Sequence, residues 1–429
     1  MADSSKPVLN SACPTVSADE KPPTYTPQQL YDKPRRVNAE DLELYTRGGY
    51  APIDLGLTFE ARGHKYTVLH KLGYGPSATV WLVRRSNGPS GACSFHALKV
   101  LRADLSTPER NLEFKTMQRL EQVGWNCRAH PNLVQIQEVI NMMTPNGLHR
   151  CYLEPLLGPS LFHPSIAEPT RRQRHFSRQL VYAVNYLHAF EVCHSNLSPE
   201  HVLVKFPQPY SGSEENALLD CLGPVVSEEI VSRGIMPAAH HPRAVVEPAS
   251  FSGFDYSSVT DVALVGFGNA FAAIFPPPVL RCPIRIFPVE VLFGHEPSPK
   301  SDIWELACLL MMLHTEPDHH LHQGCYVRLV YDWVTYLGPM PSHWRGRYRW
   351  DRYNTLTPPG QMQHQDLLGW FDVDGASRPL GRVIAASASH LTPIEREALA
   401  ALLREMFAWE PEKRPTSGMV LSRLLQLKW

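Results

Sequence analysis

Apolar and polar positions alternate through Lys65-Tyr66-Thr67-Val68-Leu69 and again through the run that ends Leu72-Gly73-Tyr74-Gly75-Pro76-Ser77-Ala78-Thr79-Val80-Trp81-Leu82. A period of two marks half-buried strands and paired glycines mark a turn, so this stretch predicts strand, glycine turn, strand. Beyond a polar loop through residues 86–94, His96-Ala97-Leu98-Lys99-Val100-Leu101 predicts an apolar strand with one lysine inside it. A lysine so placed needs a partner. Ser106-Thr107-Pro108 offers a helix start. In that helix Leu112, Phe114, Met117 and Leu120 are apolar, and Glu113 is best placed to pair with Lys99, with Glu109 and Glu121 as rivals.

Later the period lengthens to 3.6. Phe176, Leu180, Val184 and Leu187 lie about one face of a predicted helix over 172–188,. Thr392-Pro393-Ile394-Glu395 carries a capping box that opens another helix, with Leu399, Leu402, Leu403, Met406 and Phe407 as its core face,. Residues 1–40 have few periodic apolar positions and read as a flexible leader. Residues 207–256, rich in Pro, Ser, His and Glu, read as a mostly exposed excursion.

The chain has 429 residues, 43% of them hydrophobic and 10% aromatic, enough for a large core in two or three lobes,. A formal net charge of -1 argues against a nucleic-acid-binding footprint,. Nine cysteines without a C-x-x-C pair match neither a disulfide framework nor a zinc site, which favours a reducing compartment,. The first residues have no apolar signal region, and runs such as 306–313 are too short to span a membrane,. Cytoplasm or nucleus is the expected location. His319, His320, His322 and Cys325 read as loop residues rather than a metal site, as does the pair His240-His241.

Cys193-His194-Ser195-Asn196-Leu197-Ser198-Pro199-Glu200-His201-Val202-Leu203 resembles the protein-kinase catalytic loop H-x-D-L-x-P-x-N-[IV]-L,. In that family the Asp accepts the substrate's proton and the Asn helps hold magnesium; here the two positions are Asn196 and His201,. Thr260 to Ala270 is similar to V-x-I-S-D-F-G-N-A, with Gly266 in place of the magnesium-binding Asp. Asp261, five residues away along an extended strand, would lie roughly 16 Å off at ~3.3 Å per residue. Phe287 to Gly294 resembles x-A-P-E-V-L-x-G, and Ser298 to Leu309 resembles x-x-x-K-x-D-I-W-x-L-G-C.

Within the kinases the likeness runs to SR-protein kinases, particularly fungal ones. Glu43 to Pro52 matches their E-x-Y-x-x-G-G-Y-x-P entry, Ser77 to Leu82 is close to F-S-T-V-W-L, and Arg150 to Leu161 is similar to the hinge L-V-F-E-P-L-G-P-S-L. Their spacer also falls at 207–256. The resemblance implies an α+β, bilobal protein-kinase-like fold: a β-rich small lobe with one helix over 41–155, and a mainly helical large lobe over 156–429. It implies that Lys99, held by Glu113, grips nucleotide phosphates beneath Gly73 and Gly75. Leu72, Val80, Ala97, Leu203, the gatekeeper Leu153 and the hinge residues Glu154 and Leu156 would then line the adenine site. Glu290 would pair with Arg414, and Asp302 would bond backbone around the catalytic loop.

An asparagine amide takes no proton near neutral pH, and general-base effects are worth ~10²–10⁴ in rate. Magnesium prefers hard oxygen ligands, which His201 and Gly266 do not supply, so no metal is expected at those positions. The expected function is a pseudokinase that holds ATP, with magnesium in doubt, and acts through protein contacts. The alternative is a divergent serine/threonine kinase acting on Arg/Ser-rich proteins with its metal on Glu200 or the nucleotide alone. Neither nucleic acid nor membrane is an expected partner.

Overall fold

A computed structural model of the chain describes residues 29–35, 37–87, 92–107, 110–122, 130–163, 172–234, 237–315, 324–353 and 368–426. Its first half builds one antiparallel sheet from β1 (Thr58–Ala61), β2 (His64–Gly75), β3 (Ala78–Asn87), β4 (Ala92–Leu101), β5 (Glu138–Thr144) and β6 (Gly147–Pro155), ordered β1-β2-β3-β4-β6-β5. Alternation along β4 sends Leu98 and Val100 into an outer core with Ile53, Trp81, Ile140 and Leu153. The opposite face, carrying Lys99, looks toward α1 (Leu112–Gln122).

The predicted helix start at Ser106 is corrected. Ser106 Oγ donates to the Arg102 carbonyl and accepts from Arg150 N–H. Asn111 does the capping, its Oδ1 accepting from Phe114 N–H at 2.9 Å. A cap needs an oxygen within reach of the first free amides, and Ser106 lies a full turn too early. Pro108 and Glu109 fall outside the described residues, as do the side chains of Met117, Leu120 and Glu121.

The second half is mainly helical. α2 (Arg172–Ala189) buries Phe176, Leu180, Val184 and Leu187 and delivers the chain to β7 (Val192–Cys193) and β8 (Val202–Val204). A segment with α3 (Glu215–Leu222), β9 (Ser227–Glu229) and β10 (Ala244–Val246) follows, then β11 (Val262–Leu264) and β12 (Phe271–Ala272). α4 (Val289–Leu292) precedes α5 (Pro299–His314), whose apolar residues face all round because it runs through the lobe's centre,. α6 (Tyr326–Leu337), α7 (Trp350–Tyr353), α8 (Leu368–Phe371), α9 (Leu380–Ser387), α10 (Pro393–Met406) and α11 (Ser417–Gln426) complete it. Thr392 and Glu395 cap α10 reciprocally.

Residues 207–256 differ from a bare exposed excursion. Leu218, Leu222, Phe251 and Phe254 join the large-lobe core, while Val246 joins the small-lobe core. The segment before residue 40 also packs where it is described. Tyr31 is buried, bridges Ser232 and donates its hydroxyl to the Tyr45 carbonyl at 2.9 Å. Glu40 pairs with the fully buried Lys71. Both differences have one cause: aromatic and charged residues that look isolated in the chain find partners far away in it. His319, His320 and His322 lie outside the described residues. Among the described residues no helix is long and apolar enough to cross a membrane.

Candidate functional site

The cleft between the halves is lined from above by β2, β3 and β4. The Lys99 ammonium donates to both Glu113 carboxylate oxygens, at 2.8 and 2.9 Å, with α1 held in place by Thr116 Oγ1, which donates to the Ala270 carbonyl at 2.9 Å. Burial pulls Lys99 toward its neutral form, but Glu113 and Glu154 together outweigh it and raise its pKa. Val80 stands opposite Lys99 in the sheet, and Ala97 lies two residues before it on the same face. At the glycine turn a Cβ on Gly73 or Gly75 would meet nothing within 4 Å, so the space around the backbone is open. Tyr50 fixes the turn by donating its hydroxyl to the Gly75 carbonyl at 2.9 Å. Leu72 and Leu156 are half-buried against the large-lobe core, and Leu203 is half-buried in β8.

Leu153 and Glu154 exchange the places expected of them. Leu153 pairs with Leu98 and turns into the outer core, away from the cleft. Glu154 pairs with Ala97, so its side chain falls on the face shared by Lys99 and Tyr152. Aligned from Gly158 backwards without a gap, Glu154 also takes the place of the hinge motif's phenylalanine. Period-two alternation along β6 carried that signal, since one strand residue cannot face the same way as its neighbour. Burial is the main reason the Glu154 carboxyl is pushed up to about 7; Lys99 opposes the shift and Glu113 adds to it.

The floor of the cleft is assembled by two short ladders. β8 pairs with β11 in the register Leu264↔Val202, and β7 pairs with β12, which brings the loop after Cys193 beside the loop after Leu264. Asp302, at the start of α5, accepts from the His194 and Ser195 amides at 2.8 Å each, and Ser195 takes the unusual φ of 63° that this requires. Glu290 and Arg414, both fully buried, form a two-bonded pair at 2.7 and 2.8 Å.

His201 and Gly266 are fitted to one another. Val265 N–H donates to the His201 carbonyl at 2.9 Å, so the adjoining Gly266 faces the imidazole. A Cβ on Gly266 would lie 2.2 Å from His201 Cδ2 and 2.5 Å from Nε2, and Gly266 has φ +85°. His201 Nδ1 lies 3.0 Å from the Asn196 carbonyl oxygen. A carbonyl only accepts, so Nδ1 carries the proton and Nε2 is the unprotonated nitrogen. Burial holds His201 below its ordinary pKa. Asn196 is buried, and its side-chain oxygen has no hydrogen-bond partner.

These residues do not fit magnesium. The ion demands oxygen ligands in an octahedron; here one position has no side chain and the other is a neutral ring filling the gap. Asp261 is engaged with Thr260 and Gln179 instead, and Glu200 points outward to Arg285. Among the described residues no group of three His, Cys, Asp or Glu side chains could hold a metal ion.

The fold matches a solved crystal structure of a kinase domain with a TM-score of 0.56 and 16% identity, over 87% of this chain and 98% of that one. The architecture is therefore that of the protein kinases. In sequence the chain is 24% identical over 406 residues to a serine/threonine protein kinase of Aspergillus fumigatus, covering 92% of this chain and 91% of the relative. It is 23% identical to the serine/threonine-protein kinase SRPK of Physarum polycephalum, over 88% and 89% of the two chains. The Schizosaccharomyces pombe protein kinase dsk1 is 30% identical over 185 residues, 41% of this chain and 32% of that protein. No family model matches the chain. Over most of its length the chain is thus similar to serine/threonine protein kinases, SRPK among them, and it takes the protein-kinase fold.

Proposed function

We propose that this chain is a pseudokinase: a kinase-shaped module that holds ATP without magnesium and acts through protein contacts. The observation that carries this reading is the interlock of His201 with Gly266, where an imidazole fills the space a side chain at residue 266 would need. Lys99, Glu113, Val80 and Ala97 fit a nucleotide, and the open glycine turn leaves room for its phosphates. Bound ATP would supply a polyphosphate for Lys99 to pair with. Nothing beside it in the cleft floor supplies a proton acceptor of the carboxylate kind, because Asn196 is an amide. Protein partners, Arg/Ser-rich proteins among them, and a cytoplasmic or nuclear location belong to this reading through the resemblance to SR-protein kinases rather than any feature of the cleft.

The alternative, a slow but active serine/threonine kinase, has in its favour the assembled Lys99–Glu113 pair. Glu200, which would have to hold its metal, is turned to Arg285. Radiolabelled phosphate transfer from ATP to an Arg-Ser-rich peptide, with magnesium or manganese, separates the two. Expected is no transfer by the wild type and measurable transfer once Asn196→Asp, His201→Asn and Gly266→Asp are combined. Wild-type transfer that disappears in Lys99→Ala overturns the pseudokinase reading.

A further inference from the structure

Lys99 has two carboxylates on its side of the sheet rather than one. Glu113 binds it directly, and Glu154 reaches it from the neighbouring strand, on the face set by the Ala97 pairing. Glu154 is only 9% exposed, and its charge acts on Lys99 to raise that lysine's pKa. The other titratable groups facing this cluster are Tyr152 on β6, whose hydroxyl is tied to Asn111 and pushed up mainly by burial, and His201 and His194 from the floor, both held below their ordinary pKa chiefly by burial. With both glutamates ionised, one lysine faces two carboxylates, and the cluster carries a net negative charge where an anionic ligand would have to enter.

That charge balance matters because a nucleotide polyphosphate brings its own negative charge and this cleft has no built metal position to offset it. Coulomb repulsion between like charges a few ångströms apart is severe in a poorly solvated site. Protonating Glu154 removes it and leaves the Lys99–Glu113 pair intact. We propose that Glu154 is the residue that sets what the cleft admits: an anionic nucleotide enters only with Glu154 in its acid form, so each nucleotide bound takes up one proton there. The inference rests on the nucleotide-binding reading above. The carboxyl's position near 7, raised chiefly by burial, places the coupling in the physiological range.

The test is isothermal calorimetry of the full chain with ATP in EDTA, from pH 6 to 8.5, in buffers of differing ionisation enthalpy, comparing wild type with Glu154→Gln. For the wild type, the apparent Kd should rise about fivefold between pH 7 and 8 and about tenfold per unit beyond, with close to one proton taken up per ATP at pH 8. In Glu154→Gln the Kd should change less than about twofold over that range, with tighter binding than wild type at pH 8. Parallel profiles in the two proteins overturn the role of Glu154 while leaving nucleotide binding standing. Absence of binding by both at pH 6 overturns the nucleotide reading, and this proposal with it. Glu154→Met serves as the second variant should Glu154→Gln not fold, with the same flat profile expected.

Discussion

Two buried regions of the large lobe meet where Asp302 holds the His194 and Ser195 amides, and they have been treated differently. The scaffold around Asp302, Glu290 and Arg414 satisfies its charges: Asp302 holds two loop amides, and Arg414 spreads its guanidinium over Glu290 and the carbonyls of Ala408, Lys300 and Trp409. The cleft floor beside it has Asn196 with an unpaired oxygen, a neutral imidazole, and a glycine under that ring. The shape of the catalytic loop thus depends on the scaffold, whereas its chemistry depends on three side chains the scaffold does not specify. A loop can keep its path and lose its proton acceptor, because the amides that Asp302 holds belong to His194 and Ser195 and are bonded whatever side chain stands at residue 196.

The largest way to break the comparison is to attack the scaffold. Arg414→Ala leaves Glu290 fully buried without its partner, which should lower stability by about 3–5 kcal/mol,. Chemical denaturation measures it; a loss under about 1 kcal/mol would show that the pair is not what holds the lobe.

In the cleft, Glu154→Gln should give a pH-dependent stability difference. The folded-state pKa of Glu154 is raised, so folding favours its acid form; its contribution is fully present below about 4.5 and is lost as pH rises to about 7,. The glutamine variant should therefore gain on wild type by on the order of 2–3 kcal/mol across that window and by no more above it. Thermal unfolding at a series of pH values reads this, and a pH-independent gap contradicts the assigned environment.

The smallest expected effect sharpens the comparison most. Gly266→Asp alone should be destabilising by ~1–3 kcal/mol, from overpacking against His201 and a left-handed backbone,. Adding His201→Asn should recover much of that, a coupling of ~0.5–3 kcal/mol in a double-mutant cycle. Strict additivity would mean the two residues do not share the space.

Much of this was legible in the chain because it was local. Glycine turn, lysine strand, catalytic loop and spacer each occupy a short stretch, and their order along the chain is read directly. The Glu113 partner could be picked from three candidates because helix geometry favours one face. Leu153 and Glu154 went the other way: the motif was visible, but its alignment was off by one residue, and in a strand one residue reverses the face. Ser106 as helix start failed for a similar reason, since a cap is defined by reach to particular amides rather than by residue type.

By itself, then, the sequence determined that this chain takes a kinase fold and that residues 196, 201 and 266 depart from the kinase pattern, because identity and order are properties of the chain. Only the tertiary structure decided that two of those departures fit each other, that residues 207–256 bind the halves of the molecule, and that a second carboxylate stands beside Lys99. Each of those depends on distance between residues remote in sequence. Side-chain spacing along a strand gives a face, but only the pairing of that strand with its neighbour gives a partner.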